Sequence, residues 1–213
     1  NGSFSLRRKN HIYFDISNSK INLFSHFINE FNKSLEFPPD SPYFDIPAAI
    51  CPIIIRFSKQ LLESKDKTGI RVMPTLFSES FIPKLKWLFE NQNNENKHKI
   101  IGFFYFLLEG TLPLIIHLLN SDIISLMSSL LNSDEPVLIK KCLKFFDKLT
   151  EIVEIQRIQY PVAEEVQQNE LIELIDQFLY GTHSIDYAQS LFELAEKTKS
   201  NIISRLFSDN PQD

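Results

Sequence analysis

Histidine and cysteine are the residues that most often bind metals or act as bases and nucleophiles, and this chain has five histidines and two cysteines. No histidine has another histidine three or four residues away, so no helix face presents a pair of imidazoles to a metal. Cys51 and Cys142 each lie in an apolar helical pattern, which predicts buried, unreactive thiols. These residues therefore predict neither a metal centre nor a cofactor.

Carboxylates are concentrated in one short stretch, which comprises Glu164, Glu165, Glu170, Glu173 and Asp176. Clustered carboxylates can bind a hard cation, but a calcium loop also needs a glycine at its sharp turn, and this stretch has no glycine. We therefore interpret it as a solvated helix face.

The short motifs that mark common active sites are also missing. The patterns HExxH, CxxC, GxSxG and GxxxxGK[ST] do not occur in the chain. We expect that the protein is not an enzyme. An all-α enzyme whose site assembles from distant residues stays as an alternative, since a catalytic triad is defined by geometry and not by sequence order.

The composition is that of a globular chain with an uneven charge distribution. Of 213 residues, 43% are hydrophobic and 23% are charged, which argues against wholesale disorder. Residues 1–110 carry 14 basic and 11 acidic side chains, whereas residues 111–213 carry 8 basic and 16 acidic ones. An acidic half repels nucleic-acid phosphates and attracts basic segments, so we expect a protein partner and no nucleic acid.

Two further expectations concern the surroundings of the protein. No apolar run approaches the roughly 20 residues that a membrane-spanning helix needs, and no glycine-rich loop could hold a phosphate, so we expect neither membrane association nor a small-molecule substrate. Two cysteines far apart in apolar patterns favour a reducing compartment. We expect a cytoplasmic location, with the nucleus as the alternative.

Hydrophobic periodicity predicts an all-α chain, with no sustained alternation typical of strands. The predicted helices cover residues 19–34, 47–63, 74–90, 95–109, 111–120, 122–132, 135–156, 161–180, 184–197 and 199–207. A break near Asn169 would divide the helix over 161–180. Asp134 and Ser184 are predicted N-caps, Pro136 is placed just inside a helix start, and Pro52 is placed in the first turns of its helix.

An apolar pattern recurs along the chain every 42 to 48 residues. Six positions of one helix face in residues 81–89 recur in residues 123–131 and again in residues 171–179, and of these 18 positions only Lys84 is not apolar. One helix pair or triplet cannot bury its apolar face alone, whereas stacked neighbours bury a continuous core. The pattern therefore predicts stacked helical repeats.

Three stretches carry a resemblance to a known family. Residues 80–89 and 110–121 resemble the third helix of an armadillo unit, residues 133–149 resemble the start of the next unit, and the period matches the length of armadillo and HEAT units. The resemblance implies a right-handed α-solenoid. The implied division is an extension of residues 1–15, units of roughly residues 16–73, 74–121, 122–169 and 170–207, and a tail of residues 208–213.

Helical repeats of this kind bind partners along a ridge built by one helix of each unit. We call a set of equivalent positions in successive units a column, and the columns that face away from the apolar stripe form the predicted site. The predicted partner-binding residues are Lys86, Trp87, Glu90, Asn91, Ser125, Ser129, Asn132, Glu173, Gln177 and Tyr180. We expect an extended or basic segment of another protein to lie across them.

One pair in this set has a counterpart in the family. In armadillo nuclear-import adaptors, a tryptophan and an asparagine four residues apart grip an extended basic peptide, and Trp87 and Asn91 have that spacing. The equivalent pairs are Ser129 with Ser133 and Gln177 with Gly181, so this sequence departs from the family pattern in two units. The alternative is that Trp87 packs against a neighbouring element.

The predicted function is a non-catalytic, protein-binding scaffold or adaptor. The alternative is a regulatory or targeting subunit of a phosphatase or kinase complex. Such a subunit would bind in the same way and would differ only in its partner. A compact helical bundle with an accidental repeat is the structural alternative. Ser41-Pro42, in a proline-rich loop, is either a rigid turn or a proline-directed phosphorylation site.

Overall fold

A computed structural model of the chain describes residues 25–26, 28–62, 81–181 and 189–207. Within these ranges every regular element is helical and there is no strand, so the predicted all-α class is confirmed. The predicted N-cap at Ser184, the N-terminal extension, and parts of the helices over 19–34 and 74–90 lie outside the described residues.

Ten α-helices are seen in the described part of the chain, supplemented by one 3₁₀ turn and one π turn. The helices are residues 28–34 (α1), Ile46–Leu62 (α2), Phe81–Asn91 (α3), Asn94–Leu108 (α4), Leu112–Leu119 (α5), Ile123–Ser129 (α6), Pro136–Gln156 (α7), Gln159–Gln168 (α8), Leu171–Tyr180 (α9) and Gln189–Ile202 (α10). The 3₁₀ turn Leu130–Asn132 continues α6, and the π turn Ile203–Phe207 continues α10.

Several helix boundaries follow from local chemistry, although one predicted cap is wrong. The Asn93 side chain caps α4 by accepting a hydrogen bond from the backbone N–H of Asn96 at 2.9 Å. Pro136 is the first residue of α7, as predicted. Asp134 is not the N-cap: Glu135 occupies that position, and its N–H donates to Ser133 Oγ at 3.1 Å, which fixes the turn before the helix.

One further boundary prediction differs from the structure, and two are confirmed. The break near Asn169 exists and separates α8 from α9. No break falls at residue 198, which lies inside the continuous helix α10; Thr198 is buried, and its hydroxyl donates to the Leu143 carbonyl of α7 at 3.4 Å. Pro52 is the seventh residue of α2, within its first two turns as predicted, and it lies on the exposed side of the helix.

The recurring apolar positions lie in the core or at its edge. Of the 18 positions in residues 81–89, 123–131 and 171–179, thirteen are buried, five are partly buried and none is exposed. The third of the six positions, which is Lys84, Leu126 or Leu174, is partly buried in all three helices. Burial of a leucine, isoleucine or phenylalanine is worth about 1.5–3 kcal/mol, so these positions contribute strongly to stability.

The longer helices α2, α4, α7 and α10 pack in a row, each against the next. Lys59 of α2 pairs with Glu109 after α4 at 3.0 Å, whereas Asp45, which precedes α2, accepts a hydrogen bond from Asn96 near the start of α4. These two contacts show that α2 and α4 run in the same direction.

The same parallel arrangement holds at the other end of the row. Thr198 of α10 meets Leu143 of α7, and Arg205, farther along, pairs with Glu154 at 3.2 Å. Next to Thr198, Lys197 pairs with Asp147 of α7 at 2.8 Å. In the middle of the row, the Lys141 ammonium of α7 donates to the His98 carbonyl of α4.

The turns that lead into α6 and α9 have the same backbone conformation. Asp122, just before α6, and Glu170, just before α9, are both left-handed, with φ of 54° and 50°. These two residues are 48 positions apart, which is the period of the apolar pattern. Left-handed backbone is uncommon for residues other than glycine, and its recurrence 48 positions apart adds a backbone feature to the repeated pattern.

Candidate functional site

The predicted partner-binding residues lie on α3, on α6 with its 3₁₀ turn, and on α9. Nine of the ten are exposed, and only Lys86 is partly buried. The exposed columns are equivalent in the three helices. They are Pro83, Ser125 and Glu173, then Trp87, Ser129 and Gln177, then Glu90, Asn132 and Tyr180.

Contacts connect these three helices, which we call the ridge. The Lys86 ammonium of α3 pairs with the Asp122 carboxylate before α6 at 3.3 Å. The 3₁₀ turn Leu130–Asn132 packs directly against α9. The structure therefore brings the predicted residues onto neighbouring elements, with the partly buried Lys86 linking two of them.

Trp87 and Asn91 both have partners within the chain. The Trp87 ring packs edge-on against Phe44, with ring centroids 5.8 Å apart and planes at 82°, and 38% of the residue is exposed. The Asn91 amide donates to the Trp87 carbonyl at 2.8 Å, so it closes its own helix. The packing of Trp87 on a neighbouring element, the alternative reading of this residue, is what the structure shows.

Other ridge side chains are available to a partner. Ser129 donates from Oγ to the Leu126 carbonyl at 2.8 Å. In the described part of the chain, the structure gives no hydrogen bond or ion pair to the side chains of six residues. These are Glu90, Ser125, Asn132, Glu173, Gln177 and Tyr180.

Sequence reasoning missed a buried polar network, which Gln92 and Asn96 form with the loop that carries Phe44. The Gln92 amide donates to the Phe44 carbonyl at 3.0 Å, and the Asn96 amide donates to Gln92 Oε1 at 2.7 Å and to Asp45 Oδ1 at 3.0 Å. Both amide residues are only 6% exposed. The network holds the loop that carries Phe44, and the Phe44 ring is the one against which Trp87 packs. Two amides four residues apart, at the end of α3 and the start of α4, were the only signal in the sequence.

The acidic stretch 164–176 does not gather around one point. Asp176 accepts from the Lys199 ammonium at 2.5 and 2.6 Å, which ties α9 to α10. Partial burial, together with the nearby Asp122 carboxylate, raises the pKa of Glu165. No group of three or more histidine, cysteine, aspartate or glutamate side chains within the described ranges is arranged to hold a metal ion.

Both cysteines are buried and free, as predicted. Burial raises the pKa of the Cys51 thiol to about 12 and raises that of Cys142 still further. The Cys142 thiol donates to the Met127 carbonyl at 2.9 Å. A neutral, enclosed thiol is a poor nucleophile, so the two residues are structural.

A groove at the C-terminal end of the ridge was also missed. It has a volume of about 420 Å³ and lies between the end of α9 and the α10–π-turn segment. Its lining includes Leu179, Tyr180, Glu196, Lys199 and Ile203. Of these residues only Tyr180 belonged to the predicted site. Glu196, Lys199 and Ile203 come from α10 and its π turn, which carry none of the repeated columns.

Within the described ranges, no single helix is both long and apolar enough to cross a membrane, although Leu112–Leu119 and Ile123–Asn132, bent by 61°, satisfy the length and composition requirement together.

Comparison with known proteins assigns no family to the chain. No protein-family model and no curated protein matches it. Among solved structures it is similar to a crystal structure described as that of an engineered protein, at 12% identity and a TM-score of 0.33, over 88% of this chain and 96% of that one. A TM-score this low carries no argument about fold or function.

Proposed function

We propose that the protein is a non-catalytic scaffold or adaptor that holds a segment of another protein along the ridge of an armadillo/HEAT-like solenoid. The observation that carries this proposal is the recurrence of three exposed columns at equivalent positions of α3, α6 and α9. A row of equivalent exposed positions on neighbouring helices is the geometry by which helical repeats bind extended partners.

Three features of the fold support the solenoid part of the proposal. The helices α2, α4, α7 and α10 follow one another in a row, and the contacts at both ends of the row are parallel. Hydrogen bonds along the row join residues 43 to 55 positions apart, close to the period of the apolar pattern. The same left-handed turn precedes α6 and α9.

The charge of the ridge supports a basic partner segment at its C-terminal end. Glu173 is exposed on α9, and the second half of the chain carries an excess of eight acidic side chains. Exposed charges of this kind guide association more than they add affinity, and salt screens them. Binding at this end is therefore expected to weaken as the salt concentration rises.

Site-specific photo-crosslinking tests the proposal. A photoreactive phenylalanine analogue is placed at Trp87, Ser129 or Gln177, which form one column, and at the exposed control position Lys140 of α7. After irradiation in the native cells, captured proteins are identified by mass spectrometry. We expect one protein to be captured at all three ridge positions and not at the control. Capture at Lys140 alone, or different proteins at the three ridge positions, would refute the ridge as a binding surface.

A further inference from the structure

The groove beside α9 exposes apolar side chains from two different elements. Tyr180, the last residue of α9, is 77% exposed, and Ile203, the first residue of the π turn, is 44% exposed. Leu179, which is partly buried, adds a third apolar side chain to the lining. Two large exposed apolar side chains that different elements bring to one groove form an anchor site for an apolar side chain of a partner.

The charge of the groove is negative. Lys199 contributes a cation to the lining, but its ammonium is bound by both oxygens of Asp176, at 2.5 and 2.6 Å, so its charge is compensated. Glu196 also lines the groove and is exposed, and in the described part of the chain it has no ion pair. Glu193 is exposed on the preceding turn of α10. A carboxylate beside an apolar anchor site selects a partner that carries a cation next to an apolar residue.

We propose that this groove binds a basic amphipathic helix of a partner protein, with a leucine or phenylalanine between Tyr180 and Ile203 and a lysine or arginine at Glu196. In a helix, residues three and four apart lie on the same face, so one partner helix can present both groups together. This proposal rests on the proposed function, because it extends the ridge past Tyr180 and names the chemistry of the segment that ends there.

Fluorescence anisotropy with a labelled synthetic peptide tests the proposal. The probe is an amphipathic helix of leucine and lysine, and the comparison peptide has the same pattern with glutamate in place of lysine. We expect the lysine peptide to bind wild type and the glutamate peptide to bind at least about tenfold more weakly, a difference of about 1.4 kcal/mol. Equal affinity for the two peptides, or no binding of the lysine peptide, would overturn the proposal.

Matched variants show whether binding takes place in the groove. Ile203→Glu places a charge among the apolar side chains of the groove. The control Val137→Glu makes the same kind of change at the second residue of α7, which is 46% exposed. Glu196→Lys reverses the groove charge, and Asp134→Lys makes the same change in net charge at an exposed loop position. We expect each groove variant to weaken binding by about fivefold or more and each control to change it by less than about twofold. Equal effects of groove and control variants would refute the groove as the site.

Self-association is the competing use of this surface. If sedimentation shows a dimer of wild type that Ile203→Glu dissociates, the groove is an interface between copies of this chain and the proposal is wrong. We expect a monomer in both cases. A failure of the groove proposal can be told apart from a failure of the proposed function. Crosslinking at Trp87 and Ser129 tests partner binding on the ridge and does not involve the groove.

Discussion

The side-chain amide of Asn96 donates to Oε1 of Gln92 at 2.7 Å, and both residues are buried between α4 and the loop that precedes α2. Gln92 in turn donates to the carbonyl of Phe44, the residue against which Trp87 packs. The side-chain oxygen Oδ1 of Asn96 accepts from the Lys99 ammonium at 2.9 Å, so both ends of the side-chain amide are hydrogen-bonded. The packing of Trp87, a predicted binding residue, therefore depends on two buried amides.

Removal of this network should destabilise the protein and disturb Trp87. We expect Asn96→Ala to lower the free energy of unfolding by about 1–3 kcal/mol, because it leaves a buried acceptor on Gln92 without its donor. Urea denaturation measures the change. Trp87 is the only tryptophan, so its fluorescence also reports the loss of packing on Phe44 as a shift to longer wavelength.

The matched control is Asn94→Ala, because Asn94 is an exposed asparagine on the first turn of the same helix. We expect a change of less than about 0.5 kcal/mol for this variant. Equal destabilisation by the two substitutions would show that the network does not hold the loop.

Left-handed residues that are not glycine are sites where glycine should stabilise the protein. Arg157 ends α7 with φ of 56°, its N–H donates to the Glu154 carbonyl, and the following N–H donates to the Val153 carbonyl. Helices often end with a left-handed glycine in this arrangement, because glycine has no Cβ to clash there. We expect Arg157→Gly to raise the free energy of unfolding by about 0.5–1 kcal/mol in thermal or urea denaturation.

The control places glycine where the backbone is right-handed. Lys140 is exposed in the interior of α7, and Lys140→Gly should lower stability by about 1 kcal/mol through the loss of helix propensity. A loss of stability in both variants would contradict the strain assigned to Arg157.

His98 should make the protein sensitive to mild acid. Burial is the main cause that lowers the pKa of His98, and the nearby Lys141 ammonium adds to the effect, whereas Glu135 and Glu95 oppose it. The unfolded chain then binds a proton more readily than the folded one. The stability that neutral His98 contributes is therefore complete above the unfolded pKa of about 6.5 and is lost as the pH falls through the lower folded pKa.

Urea denaturation of wild type and His98→Gln at a series of pH values tests this contribution. We expect the wild type to lose more stability than the variant between pH 7 and pH 5, since glutamine does not titrate. NMR titration of the His98 ring gives its pKa directly, and a value at or above that of an unfolded chain would contradict the assignment.

The two thiols should react only when the protein unfolds. Cys51 and Cys142 are fully enclosed, and their raised pKa values keep them protonated at neutral pH. We expect no reaction with a thiol-disulfide reagent such as Ellman's reagent in native buffer and complete reaction of both thiols in concentrated urea. Fast modification of either residue without urea would show that the core around it opens.

The sequence alone determined the helical class, most helix positions and the side of each helix that is buried. These follow from local rules: apolar residues at helical spacing must turn to one side, and the three sets of apolar positions in α3, α6 and α9 are indeed buried or partly buried. The exposure of Trp87, Ser129 and Gln177 follows from the same periodicity. The sequence also placed Cys51 and Cys142 in the core, because thiols in apolar patterns are usually buried.

The tertiary structure decided which helices stand side by side and which polar groups meet. The Gln92–Asn96 network, the Lys86–Asp122 pair and the groove between Tyr180 and Ile203 all join residues from different elements. Such meetings depend on how helices cross in space, and periodicity within one helix holds no information about them. For the same reason the pattern could not show that Asn91 bonds to its own helix or that Thr198 is held by α7.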